Sequence, residues 1–248
     1  MSSLWEKICD VKIASHDILE EAMFKEYIHP SSGLSDGISR ILSDQLSLAS
    51  SKNLIPFGRI KEHIDELIEI ISLDLIAFHE RDFASGGLHE VLLLNRCFHA
   101  LALHRVGHFM WNHGQSFTAK WLTNTTSILF GMDIHPAAQL GSAVVFDHGF
   151  GVVIGETSII GDNSFIFHNV TLGGTGKSDG DRHPKINANV FIGAGATVLG
   201  NISIGKGSVI AAGAMVLKDV PSGVVVAGNP AIIKGCAVEL QQKTLPKG

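Results

Sequence analysis

Cysteine and net positive charge are both scarce in this chain, and each scarcity excludes something. The three cysteines, Cys9, Cys97 and Cys236, lie far apart and are odd in number. They make neither a metal-type pair nor a disulfide framework, so a reducing compartment is expected. Net charge is −5 with histidine neutral, which offers no general attraction for nucleic acid or an anionic membrane. No uncharged apolar run reaches the ~18–20 residues that span a bilayer. The opening "MSSLWEKICDVKIASHD" carries charges where a secretory leader needs an apolar stretch, so a cytoplasmic protein is expected. What the chain has in quantity is hydrophobic residues, at 45%, and 27 glycines, unevenly placed along its 248 positions. That length allows one large domain or two modest ones.

Residues 1–132 read as an all-helical domain. "SDGISRILSDQLS" opens with a cap signal, Ser35–Asp36, and continues with Ile38, Ile41 and Leu42. "GRIKEHIDELIEIISLDLIAFHERD" carries the stripe Ile60, Ile64, Leu67, Ile70, Ile71 and Leu75. "LHEVLLLNRCFHALALHRVGHFMWNHG" is apolar nearly all round, which predicts a buried helix or a subunit contact. "SFTAKWLTNTTSILFG" is the last helix before the pattern changes.

From Asp133 the period becomes six. Ile134, Leu140 and Phe146 are followed, after a two-residue slip, by Ile154, Ile160, Ile166 and Leu172. Ile186, Ile192, Val198, Ile204, Ile210 and Val216 then keep the same interval. Helices need 3.6 residues and simple strands two, so six means short strands joined by tight turns, the hexapeptide β-helix repeat. One apolar residue per strand points inward, three strands complete a coil, and glycine turns the corners at low steric cost. The predicted architecture is α+β segregated, with the helical domain followed by a parallel β-helix over residues 133–235 and a tail over 236–248.

Ile186 follows Leu172 by fourteen positions, one hexad plus eight. The excess lies in "TLGGTGKSDGDRHPKI", so a loop of about residues 173–185 should leave the coil at a corner, where repeat proteins often place binding groups. "GGTGKS" is not a nucleotide-binding P-loop. Position 171 holds threonine where that motif needs glycine, and no long helix follows.

Four stretches resemble the serine acetyltransferases in order and spacing: "DIHPAAQLG" at 133–141, "DHGFGVVIGET" at 147–157, the 171–186 stretch, and "AGNPA" at 227–231. "ERD" at 80–82 and "FHALALHRVGH" at 98–108 resemble the helical domain of that family. The resemblance implies that the β-helix is left-handed, against the usual right-handed crossover preference. It implies acetyl transfer from acetyl-CoA to the hydroxyl of L-serine for cysteine biosynthesis, with no metal, in a homotrimer or a hexamer built as a dimer of trimers.

The resemblance assigns His148 as general base and Asp133 as the aspartate that orients it. Arg182 suits the substrate carboxylate, with His183 beside it. Asp147 and Asp82 are candidates for the ammonium, and Glu156 matches a further polar position. Phe83 stands where the family often has proline after the aspartate of "ERD". Backbone amides at Gly174, Ala194, Gly195, Ala212 and Gly213 are candidates for coenzyme A, and Lys218 and Lys234 for its phosphates. L-Cysteine, which keeps the ammonium and carboxylate of serine, is expected to inhibit by feedback. The tail ends in Gly248, which has no side chain to fill an apolar pocket, so weak association with O-acetylserine sulfhydrylase through it is expected. His99, His104, His108 and His113 read as core or contact histidines, because no carboxylate or cysteine completes a metal set. Two other readings remain: a hexapeptide acyltransferase for a different small acceptor, and a non-catalytic trimeric scaffold.

Overall fold

The computed structural model describes residues 3–11, 17–49, 57–81, 85–177 and 179–237. Among them, seven α-helices precede the first strand: α1 (Leu4–Cys9), α2 (Ile18–Met23), α3 (Leu34–Ala49), α4 (Phe57–Arg81), α5 (Leu88–Leu94), α6 (Arg96–Asn112) and α7 (Ser116–Phe130). A single wider π-turn, Phe24–Ile28, extends α2. The stripe of α4 packs as its spacing requires, with Ile60, Ile64, Ile71 and Leu75 buried. Helix α3 begins one residue before the expected cap. Asp36 lies in its first turn, where its carboxylate accepts from the backbone N–H of Ser32 at 3.0 Å.

The long apolar stretch expected as one helix is two. Asn95 divides α5 from α6, and its side-chain oxygen accepts from the N–H groups of Cys97 and Phe98, both at 3.0 Å. An asparagine that can cap a new helix competes with continuation of the old one. His99 and His104 are buried in α6, whereas His108 is half-buried and His113 exposed, so the core reading of the four histidines holds for the first two.

The solenoid has three faces. Face one stacks β1 (Met132–Ile134), β4 (Val152–Ile154), β7 (Thr171–Gly173), β10 (Thr197–Leu199) and β13 (Met215–Val216). Face two stacks β2 (Gln139–Leu140), β5 (Ile159–Ile160), β8 (Lys185–Ile186) and β11 (Ser203–Ile204). Face three stacks β3 (Val145–Asp147), β6 (Phe165–Phe167), β9 (Phe191–Ile192), β12 (Val209–Ile210) and β14 (Val224–Ala227). These strands pair in parallel, whereas β15 (Ile232–Cys236) turns back and pairs antiparallel with β14. All thirteen residues of the six-residue period are buried. A Cβ on Gly161 or Gly193 would press into the backbone of Ala188 or Ala212 in the next coil, so these corners require glycine for close stacking.

The two parts are joined through buried charge. Arg105 of α6 donates to the carboxylate of Asp74 of α4 at 3.0 and 3.2 Å. It also donates to the carbonyls of Leu140 and Gly141 in the first coil. Asp74 is fully buried, and burial pushes its carboxyl above the usual range despite the guanidinium. Such a pair rewards a single geometry, because any shift leaves a charge without its partner. It fixes α6 against the solenoid.

Candidate active site

The corner between faces three and one carries His148. The turn after β3 is tight: His148, Gly149 and Gly151 all have positive φ, at 59°, 60° and 75°. A side chain in that left-handed region is uncommon and marks a constrained turn. The imidazole is 69% exposed, and its Nε2 lies 3.7 Å from Oδ1 of Asp147. No hydrogen bond among the described residues joins it to Asp133, which stands exposed on face one in β1. Asp133 instead borders a cleft of about 270 Å³ against α7, with Lys120, Asn124 and His135.

One coil further along the same corner is His168, whose ring meets that of His148 edge-on at 5.6 Å. The carbonyl of His168 accepts from Gly195 at 2.9 Å, and that of Ala194 from Gly213 at 2.8 Å. His148, His168, Ala194–Gly195 and Ala212–Gly213 thus form one column down one edge of the prism. Below the two imidazoles that edge is bare: Gly195, Ala212 and Gly213 are exposed, and a Cβ added at either glycine would meet nothing. A long, thin ligand could lie against these backbone groups with its end at His148.

The corner between faces one and two carries the loop, which leaves β7 at Gly174 and re-enters at β8, as the interruption of the period predicts. Thr157 organises it. Its Oγ1 accepts from the backbone N–H groups of Arg182 and His183 at 3.0 and 3.1 Å. Its own N–H donates to Nδ1 of His183 at 3.1 Å, which leaves the imidazole proton on Nε2. Burial, then the adjacent Arg182, lowers the pKa of His183 and favours that neutral form. Arg182 meets Glu156 at 2.7 Å, and this hydrogen bond holds the Glu156 carboxyl below its ordinary value. Lys185 ties the base of the loop to Asp181 and to the carbonyl of Thr157.

The expected site residues therefore fall into two groups. His148 and Asp147 stand at one end of β4, and Glu156, Arg182 and His183 at the other, about 10 Å of strand apart plus two turns. Of the coenzyme A candidates, Gly174 lies on the loop corner, away from the column of Ala194, Gly195, Ala212 and Gly213. Lys218 and Lys234 are exposed near the far end of the stack. Asp82 lies outside the described residues, as does most of the 236–248 tail. Thr157 and His168 were not singled out by the sequence. A threonine in a hexad turn and a lone histidine carry no spacing signal, although "GET" follows the period by position. Among the described residues there is no group of three or more His, Cys, Asp or Glu that could hold a metal ion, and no helix is long and apolar enough to cross a membrane.

Residues 4–102 match the family model for the serine acetyltransferase N-terminal region, and residues 183–218 match the bacterial transferase hexapeptide model. The chain is 45% identical to serine acetyltransferase 2 of Arabidopsis thaliana over 88% of its own length, and it spans 64% of the length of that relative. A serine acetyltransferase from Brucella abortus, solved in complex with coenzyme A, superposes with a TM-score of 0.87 at 38% identity over 95% of this chain and 96% of that one. A serine acetyltransferase solved in complex with cysteine superposes with a TM-score of 0.86 at 37% identity, covering 93% and 98% of the two chains. Identity at this level, sustained through both the helices and the solenoid, places the chain in the serine acetyltransferase family.

Proposed function

We propose that the chain transfers acetyl from acetyl-CoA to the side-chain oxygen of L-serine. The observation that carries this reading is the alignment of an exposed imidazole with a bare edge of small residues. Coenzyme A would run along Ala194, Gly195, Ala212 and Gly213, and its thioester would reach His148. The serine hydroxyl then attacks the thioester carbonyl while His148 takes its proton, a transfer typically worth ~10²–10⁴-fold. The tetrahedral intermediate collapses, the C–S bond breaks, and the imidazolium returns the proton to the departing thiolate. O-Acetylserine and coenzyme A leave, and no acyl-enzyme forms.

Asp133 and Asp147 are assigned to orient and charge-balance His148, with Asp147 and Asp82 also available to the substrate ammonium. Arg182, braced by Glu156, would hold the carboxylate, with His183 beside it, and Lys218 and Lys234 would meet coenzyme A phosphates. The two halves of this site stand at different corners of one prism. We assign their union to a trimer, in which the His148 corner of one chain faces the Arg182 corner of the next. The exposed apolar residues Phe150, Val153 and Ile159 support such packing. L-Cysteine fits the same carboxylate and ammonium contacts and would compete with serine.

The deciding assay is release of coenzyme A from acetyl-CoA. The reading requires release that depends on L-serine and is not supported equally by a panel of sugars and other amino acids. Serine-independent hydrolysis alone, or no turnover by a correctly assembled protein, would favour another acceptor or a scaffold.

A further inference from the structure

The turn that carries His148 is held from outside the solenoid. Arg96, the first residue of α6, donates through Nη2 to the carbonyl oxygen of His148 at 2.6 Å. That carbonyl also accepts from the N–H of Phe150 at 2.7 Å. The next residue, Gly149, lies so close to Sγ of Cys97 and Sδ of Met132 that an added Cβ would come within 2.7 Å of each. Phe150 closes over Gly131, where a Cβ would come within 2.5 Å of its ring. Four contacts, two of them from α6, thus define a turn whose first residue has a left-handed backbone at a non-glycine position. Left-handed geometry at histidine is unfavourable by itself and persists only where the surroundings over-determine it.

We infer that Arg96 is a positioning residue, through which the helical domain fixes the peptide of His148 and so the direction of its imidazole. The inference rests on the assignment of His148 as general base. The same helix is locked to the first coil nine residues later by Arg105, which grips Asp74, Leu140 and Gly141. Helix α6 therefore spans two successive corners of the first coil, one at each grip. A small misplacement of a catalytic group far outweighs a lost surface contact in its effect on rate. Arg96 is exposed, so the effect of its removal should fall on turnover and not on folding.

The test compares Arg96→Met, Arg96→Lys, His148→Ala and the double variant Arg96→Met/His148→Ala in the full chain. Arg96→Met is expected to lower kcat about tenfold, with KM for both substrates and the melting temperature nearly unchanged. Arg96→Lys, which keeps a donor, should recover most of that loss. The double variant should be no slower than His148→Ala alone, because both act through one imidazole. Full turnover in Arg96→Met, together with a crippled His148→Ala, would overturn the positioning role and leave the base assignment standing. A loss from Arg96→Met that persists undiminished on top of His148→Ala would also overturn it. Full turnover in His148→Ala would instead remove the base assignment itself, and with it the residue through which Arg96 is said to act.

Discussion

Arg182 and Glu156 are joined across the corner between faces one and two by a 2.7 Å contact between Nη2 and Oε2. The other terminal nitrogen of Arg182, Nη1, donates to the carbonyl of Gly180 at 2.9 Å. The guanidinium is therefore already oriented, and the substrate carboxylate proposed to bind there would meet a planar donor that needs little rearrangement.

Arg182→Ala should accordingly damage the use of serine. A charged hydrogen bond of this kind is worth ~1.5–3 kcal/mol, or about 10–150-fold in kcat/KM. Arg182→Lys should recover only part, since an ammonium cannot reproduce the flat two-pronged contact. Serine KM and acetyl-CoA Kd, measured on the same variants, separate the loop from the coenzyme edge. A loss confined to acetyl-CoA binding would assign the loop to the coenzyme.

His148→Ala should lower turnover with serine by about 10²-fold or more while the oligomer persists. Steady-state rates alongside size-exclusion chromatography check both halves of this statement.

Gly155→Ala should inactivate without touching the chemistry directly. A Cβ at this position would collide with Cδ2 and Nε2 of His183, which the Thr157 contacts hold in place. The ring must leave, and the 182–183 backbone goes with it. Serine KM should rise at least as much as in Arg182→Ala, whereas Gly235→Ala, aimed into open space in β15, should leave serine KM unchanged.

Stability should fall as pH is lowered from about 6.5 toward 4. His99 is fully buried; its Nδ1 accepts from the Gln45 amide N–H at 2.8 Å, its Nε2 donates to the Leu92 carbonyl at 2.7 Å, and burial lowers its pKa to about 4. Above pH 6.5 the ring is neutral in folded and unfolded chains alike. Below it the unfolded chain takes up a proton that the folded chain refuses, so folding is disfavoured progressively down to about pH 4. The full effect is on the order of 3 kcal/mol. Melting curves from pH 7.5 to 4 should show the decline, and His99→Gln should make it shallower, the remainder coming from His104, whose pKa burial also lowers, at the cost of a lower value at pH 7.5. An unchanged slope would remove His99 as its source.

L-Cysteine should inhibit with a pattern competitive against serine, because it offers Arg182 the same carboxylate. Initial-rate measurements at several serine concentrations test this, and inhibition indifferent to serine would place cysteine elsewhere.

The solenoid was legible because its rule is one-dimensional. A buried residue every six positions suffices to name the strands, and the failure of that rhythm after Leu172 located the loop. Arg182 and His183 were legible as charge in a place where the repeat has none. The division of the site was not legible, because the period does not say which corner a given turn occupies until the coils are counted in three dimensions. Asn95 could have been read as a cap, but the apolar runs on either side, Val91–Leu94 and Ala100–Leu103, pointed to one continuous helix. Arg96 gives no signal at all: its partner is a backbone carbonyl 52 residues away, and carbonyls leave no trace in a sequence.

A stack of identical parallel coils has no intrinsic length, since each new coil is offered the same edge as the one before. Strand β15 ends that series. It lies on β14 in the opposite direction, and its register shifts between Val225 and Val226. A further coil, from this chain or another, would have to add in parallel and finds a strand of the wrong polarity with Lys234 at its centre. The repeat is a rule for growth, and one reversed strand makes it finite.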